Sequence, residues 1–260
     1  MKTPFMLLTS LFAIVLAFSS PQALAEMQKA KTVVLVHGAF ADGSSWNKVI
    51  PLLRAEGLQV ISVQNPLTSL DDDVAFTKRA IAQAEGPVVL VGHSWGGVVI
   101  TEAGVDEKVQ SLVYVSAFAP STAQNLHDIL HEAHAVQKIP TVPGFSHPQV
   151  DKEGFLELSE ETVINYFASD LPVEEARLIA IGQGKLHKRT LDQRITKAAW
   201  ETKPSWFIVS SNDQMIAPDV LRGQAKKIQA TTVELPTSHV SMLVKPREVA
   251  DVILSAAHIK

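Results

Sequence analysis

The chain has 260 residues, of which 46% are hydrophobic and 19% charged, with 14 Pro and 13 Gly, a composition that excludes disorder and fibrous repeats and supplies one large core. A formal net charge of -4 leaves no basic stripe for a phosphate backbone, so nucleic acid is not an expected partner. The absence of cysteine excludes disulfides, thiolate metal sites, a cysteine nucleophile and lipid attached through an N-terminal Cys.

In chain order, Lys2 precedes an apolar run from Phe5 to Phe18, and Ala23-Leu24-Ala25 follows. That is the anatomy of a secretory signal peptide, residues 1–25, which leaves a mature domain of residues 26–260. No later stretch is apolar for long enough to span a bilayer. The expected product is therefore an exported protein, periplasmic or secreted, that is not membrane-bound once cleaved.

Short apolar runs come next: Val33 to Val36, the more broken Val60 to Val63, Val88 to Val91, Leu112 to Val115, Trp206 to Val209 and a weaker, β-branched Thr231 to Leu235. Runs of this kind read as strands buried on both faces of a parallel sheet. Helical patterns lie between them, as parallel strands need crossovers. Ser69 can cap one helix, Asp71, Asp72 and Asp73 meet its positive end, and Gly86 ends it. Another follows Pro246 and places Val249, Val252, Ile253, Ala256 and Ala257 on one face. From Pro120 to about Lys197 the alternation breaks. No strand-like run is visible there, but helix starts are expected at Ser159 and Asp170. About 120–197 therefore reads as a helical cap inserted after the fourth strand of a single α/β domain.

Gly92-His93-Ser94-Trp95-Gly96 follows the run Val88 to Val91 and precedes the apolar stretch Val98-Val99-Ile100, the context of a nucleophile elbow. A serine held in a strained strand-to-helix turn needs neighbours without Cβ atoms, which Gly92 and Gly96 supply. The following helix directs its N-terminal amides at the position where negative charge develops on a substrate oxygen.

A serine hydroxyl needs a base, and the base needs an orienting group. Asp213 stands in the segment after the strand Trp206 to Val209, and His239 after the next strand, in the order Ser, acid, His. No carboxylate follows the preceding strand at Ser116-Ala117-Phe118 to compete with Asp213. His37-Gly38-Ala39-Phe40 follows the first strand, so the amides of Ala39 and Trp95 are the expected oxyanion donors, with Phe40 as fallback for the first. His127, His131 and His134 are spaced i, i+4, i+7 and could share a helix face, yet they lack the His-Glu-x-x-His spacing of a metalloprotease.

The motifs V-L-V-H-G-A-F, G-H-S-W-G-G, N-D-Q-M-I-A-P and S-H-V-S-M resemble the α/β-hydrolase superfamily, and within it the small esterases related to plant methyl esterases and hydroxynitrile lyases. The likeness covers roughly residues 30 to 260. It implies an α/β-hydrolase fold with a mostly parallel sheet of about six strands, a small-molecule ester substrate, acyl transfer to water, and no metal or organic cofactor. Related hydroxynitrile lyases carry a lysine directly after the catalytic histidine; here that residue is Val240. Epoxide hydrolases and haloalkane dehalogenases of this fold use an aspartate at the elbow, against which Ser94 argues. The expected function is ester cleavage by Ser94, Asp213 and His239 beneath an apolar cap that includes Leu130, Phe145, Phe155, Tyr166 and Phe167. Perhydrolysis, amide or carbon–carbon cleavage by the same triad, and a non-catalytic ligand-binding protein, are the alternatives.

Overall fold

The computed structural model describes residues 29–146 and 148–258; the expected signal peptide lies outside the described residues. Strands β1 (Thr32–Val36), β2 (Gln59–Val63), β3 (Val88–His93) and β4 (Val109–Val115) precede three short ones, β5 (Gln149–Val150), β6 (Phe155–Glu157) and β7 (Leu186–His187). β8 (Ser205–Ser210) and β9 (Thr231–Leu235) follow. The main sheet has six strands in the order β2-β1-β3-β4-β8-β9, and every pair in it is parallel. Every residue of β1 and β3 is buried, whereas β9 is largely exposed. That difference explains why the central runs are continuously apolar and the edge run is not.

Crossovers are made by α1 (Ile50–Ala55), α2 (Leu70–Gln83) and α3 (Trp95–Ala103). The cap holds α4 (Leu126–His131), α5 (Glu160–Thr162) and α6 (Val173–Gly182), while α7 (Pro218–Lys227), α8 (Ser241–Val244) and α9 (Pro246–Ala256) complete the chain. Ser69 caps α2 by accepting from the amide of Asp72 at 3.1 Å. The helix stops at Gln83, and Gly86 takes the left-handed turn beyond it with φ +82°. In α9 Val249, Val252, Ile253 and Ala256 are buried, each Val or Ile contributing roughly 1.5–3 kcal/mol relative to an exposed position. A charge at Ile253 would break that packing.

Because β1 has β2 on one side and β3 on the other, the chain reverses its winding direction there, and a crevice opens at the carboxyl ends of β1 and β3. The loops that carry His37 to Phe40 and Ser94 border that crevice.

Between β4 and β8 the chain departs from the sequence-based expectation in two respects. β5, β6 and β7 form an antiparallel three-stranded sheet, where no strand was expected; strands of two or three residues are too short to leave a periodic pattern. Ser159 does cap a helix, accepting from Thr162 N at 3.1 Å. Asp170 does not: α6 begins at Val173 with Pro172 at its N-cap. The Asp170 carboxylate accepts instead from the amide of Ser238 at 2.6 Å and from the Ser238 hydroxyl. Among the described residues no helix is long and apolar enough to cross a membrane.

Candidate active site

Ser94 joins β3 to α3 with φ 52° and ψ −118°, a conformation that costs a non-glycine residue of order 1–3 kcal/mol. Its amide donates to Val115 O at 3.1 Å and its carbonyl accepts from Gly97 N at 3.0 Å, which fixes the turn from both sides. The glycines are demanded by contact. A Cβ on Gly92 would stand 2.5 Å from Gly96 O, and one on Gly96 would stand 2.5 Å from Val36 O. The Ser94 hydroxyl makes no hydrogen bond among the described residues, and Ser94 lines a cavity together with His239.

His239 and Asp213 are both buried, and His239 Nδ1 lies 2.7 Å from Asp213 Oδ2. A carboxylate only accepts, so Nδ1 carries the proton and Nε2 is left with a lone pair. The other carboxylate oxygen accepts from the amides of Met215 at 2.8 Å and Ile216 at 3.0 Å. These two bonds hold the carboxylate in orientation. A buried hydroxyl chain ties the ends of the strands that deliver these residues: Ser116 Oγ lies 2.7 Å from Ser210 Oγ, which lies 3.0 Å from Thr237 Oγ1.

Sequence reasoning missed two supporting groups. His93, inside the elbow motif, donates from Nε2 to the carbonyl of His239 at 3.0 Å, and the two rings are 4.7 Å apart. Burial, and then the proximity of the His239 ring, push the His93 pKa well below the ordinary histidine value. It is thus a neutral prop under His239. Asp73 accepts from the indole Nε1 of Trp95 at 2.7 Å, beneath the same elbow. The cap contributes Phe167, whose ring packs edge-on against His239 with the two centroids 5.2 Å apart.

The expected oxyanion donors are in position to differ. Among the described residues the amides of Ala39 and Trp95 have no hydrogen-bond partner, whereas that of Phe40 donates to Gly184 O at 3.0 Å. The fallback donor is therefore occupied. The loop is held by His37, whose Nε2 accepts from Asn65 N at 2.9 Å and whose Nδ1 donates to Gly38 O at 2.8 Å. Burial lowers the His37 pKa, which keeps this doubly bonded ring neutral.

The cavity has a volume of about 240 Å³, and among the described residues no Asp, Glu, Lys or Arg lines it. Leu130, Phe145 and Phe167 line it as expected of the cap; Phe155 and Tyr166 do not. Phe155 packs edge-on against His187 in the small sheet. The spaced histidines separate: His127 Nε2 lies 3.4 Å from Asp192 Oδ1 at the surface, His131 is exposed, and His134 lines the cavity.

An all-parallel sheet with a serine at a strained strand-to-helix turn, and a histidine–aspartate pair on later strand ends, defines an α/β hydrolase. The chain belongs to the Alpha/beta hydrolase family, whose profile matches residues 33–252. It is 26% identical to Methylesterase 2 of Arabidopsis thaliana, an alignment covering 90% of this chain and 98% of that protein. It is 25% identical to a pyrethroid hydrolase of Sphingobium wenxiniae, over 86% of this chain and 87% of that one. The crystal structure of a pyrethroid hydrolase from Sphingobium faniae superposes with a TM-score of 0.72 at 22% identity, covering 88% of this chain and 97% of that chain.

Proposed function

We propose that the protein is a serine esterase that cleaves small to medium carboxylic esters through an acyl-enzyme. The observation that carries this reading is the 2.7 Å Asp213–His239 pair, with its histidine lining the same cavity as the strained Ser94. Ser94 Oγ attacks the ester carbonyl carbon as its proton passes to His239 Nε2, and Asp213 holds the Nδ1 proton and balances the imidazolium. The amides of Ala39 and Trp95 receive the oxyanion. When the tetrahedral adduct collapses, His239 gives its proton to the departing alcohol. Water, deprotonated by the same nitrogen, then releases the acid and restores Ser94. The closest approach of an alternative reaction is lyase chemistry, against which stands the buried, uncharged Val240 after the histidine.

The substrate is uncharged, because a carboxylate or ammonium in a cavity that has no Asp, Glu, Lys or Arg among the described residues would lose its hydration without compensation. That the relatives include proteins named for methyl ester and pyrethroid hydrolysis supports an ester. The chain is exported, on the anatomy of residues 2 to 25; mass measurement of the protein recovered outside the cytoplasm should give an N-terminus at Glu26.

The test is hydrolysis of short and medium p-nitrophenyl esters by the protein and by Ser94→Ala, together with labelling by a fluorophosphonate. Turnover and labelling that vanish in the variant are expected. A folded protein that neither turns over nor labels would instead be a binding protein of this fold.

A further inference from the structure

The geometry points to His134 as the group that selects the substrate, by accepting a hydrogen bond from a hydroxyl or N–H on an otherwise apolar ester. This rests on the esterase reading, whose cavity it describes in more detail.

α4 presents Leu126 and Leu130 to the cavity. At Glu132 the helix widens into a π turn over Glu132–Val136, sealed by the bond from Gln137 N to Glu132 O at 2.9 Å. Such wide turns reposition single side chains and are frequent at functional sites. Position 134, eight residues after Leu126 and four after Leu130, shares their face, whereas His127 and His131 are exposed. His134 thus lines the cavity among apolar neighbours.

Its protonation pattern is fixed by one contact. His134 Nδ1 lies 2.7 Å from the carbonyl of Ile139, and a carbonyl can only accept, so Nδ1 carries a proton. In the neutral ring Nε2 is then an acceptor, and it has no partner among the described residues. The rest of this segment repeats the bias. Ser146 spends its hydroxyl proton on Val142 O at 3.2 Å, which leaves lone pairs, and both Thr141 and Ser146 line the cavity. Apart from Ser94 and His239, these side chains are, among the described residues, the polar points of an apolar lining. A ligand that buries them without a donor leaves an acceptor unsatisfied, while one that brings O–H or N–H satisfies it.

The experiment compares methyl 3-phenylpropanoate with its ortho, meta and para hydroxy isomers, using wild-type protein, His134→Phe and His134→Gln. For the wild type, kcat/KM for one hydroxy isomer should exceed that of the parent ester by about tenfold. In His134→Phe the ratio should fall to about one, and His134→Gln, which retains an acceptor, should restore part of it. The same preference should appear in the Kd of the matching non-hydrolysable methyl ketones, measured calorimetrically with Ser94→Ala. If the wild type shows no preference in either readout, or His134→Phe keeps the full ratio, the assignment is overturned. Failure to hydrolyse any of the esters, with the ketone preference intact, would strike the esterase reading and leave His134 standing.

Discussion

Trp95 and Asp73 meet through a 2.7 Å hydrogen bond from the indole Nε1 to a carboxylate oxygen. The second oxygen accepts from Leu67 N at 2.8 Å, so one buried carboxylate supports both the residue after Ser94 and the loop that leads into α2. Burial raises the Asp73 pKa from 3.8 to about 6, the two hydrogen bonds opposing that shift only in part. Folded protein therefore holds this proton at pH values where the unfolded chain has released it. The stability so contributed is full below 3.8 and is lost as pH rises through 6, roughly 3 kcal/mol in all. Asp73→Asn does not titrate, so its stability relative to wild type should rise by about that amount from roughly pH 4 to pH 7. Urea unfolding of both proteins across this range checks it; parallel curves would show that Asp73 stays ionised throughout.

Asp213→Asn separates orientation from folding. The amide oxygen can still accept from Met215 and Ile216, but the amide NH₂ would face Nδ1 of His239 and favour the tautomer with its proton on Nε2. A histidine in that form cannot take the Ser94 proton. The expected result is a fall in kcat of about 10⁴ with an unchanged circular dichroism spectrum. Activity within tenfold of wild type would mean that another group orients the histidine.

Where the chemistry depends on local pattern, the sequence was sufficient. β1 and β3 are legible as continuous apolar runs because both faces of a central parallel strand are buried, and Gly92 and Gly96 are legible because the elbow leaves no room for a Cβ. What was missed depends on contacts between distant segments. His93 acts on a carbonyl 146 positions away, and the Phe40 amide is occupied by Gly184 from the far end of the cap; neither leaves a local trace. Asp73 is a different case. It looks like one more acid at a helix N-terminus, yet Leu70, Asp73, Val74, Thr77 and Ile81 are buried together, so helical periodicity alone puts it on the inner stripe.

Gly92→Ala tests the elbow directly. The new Cβ would stand 2.5 Å from Gly96 O and 2.9 Å from Gly97 N, both backbone atoms at the start of α3 that cannot yield without moving Trp95. Overpacking against backbone exceeds the usual penalty of about 1–3 kcal/mol. The variant should be recovered poorly, or with a melting temperature lowered by at least about 5 °C, and its fluorophosphonate labelling should be lost before its fold is. Normal labelling at wild-type rate would show that the turn tolerates a side chain.

The contact between Asp170 and Ser238 makes the cap part of the site. Asp170 accepts both the amide and the hydroxyl of the residue immediately before His239, so a cap carboxylate holds the loop on which the histidine stands. Asp170→Ala leaves both donors without a charged acceptor, and because Ser238 is buried water replaces that acceptor only from the outer side. Hydrogen bonds to a charged group contribute about 1.5–3 kcal/mol, which corresponds to a fall in melting temperature of roughly 3–12 °C for a chain of this size. The fall in kcat should exceed the fall in affinity, since the loosened loop displaces His239 while the apolar cavity walls remain. Asp170→Asn, which keeps one acceptor, should recover part of both losses. Measured kcat and KM for the two variants decide the matter: an unchanged kcat in Asp170→Ala, whatever happens to stability, would reduce this contact to a structural tie.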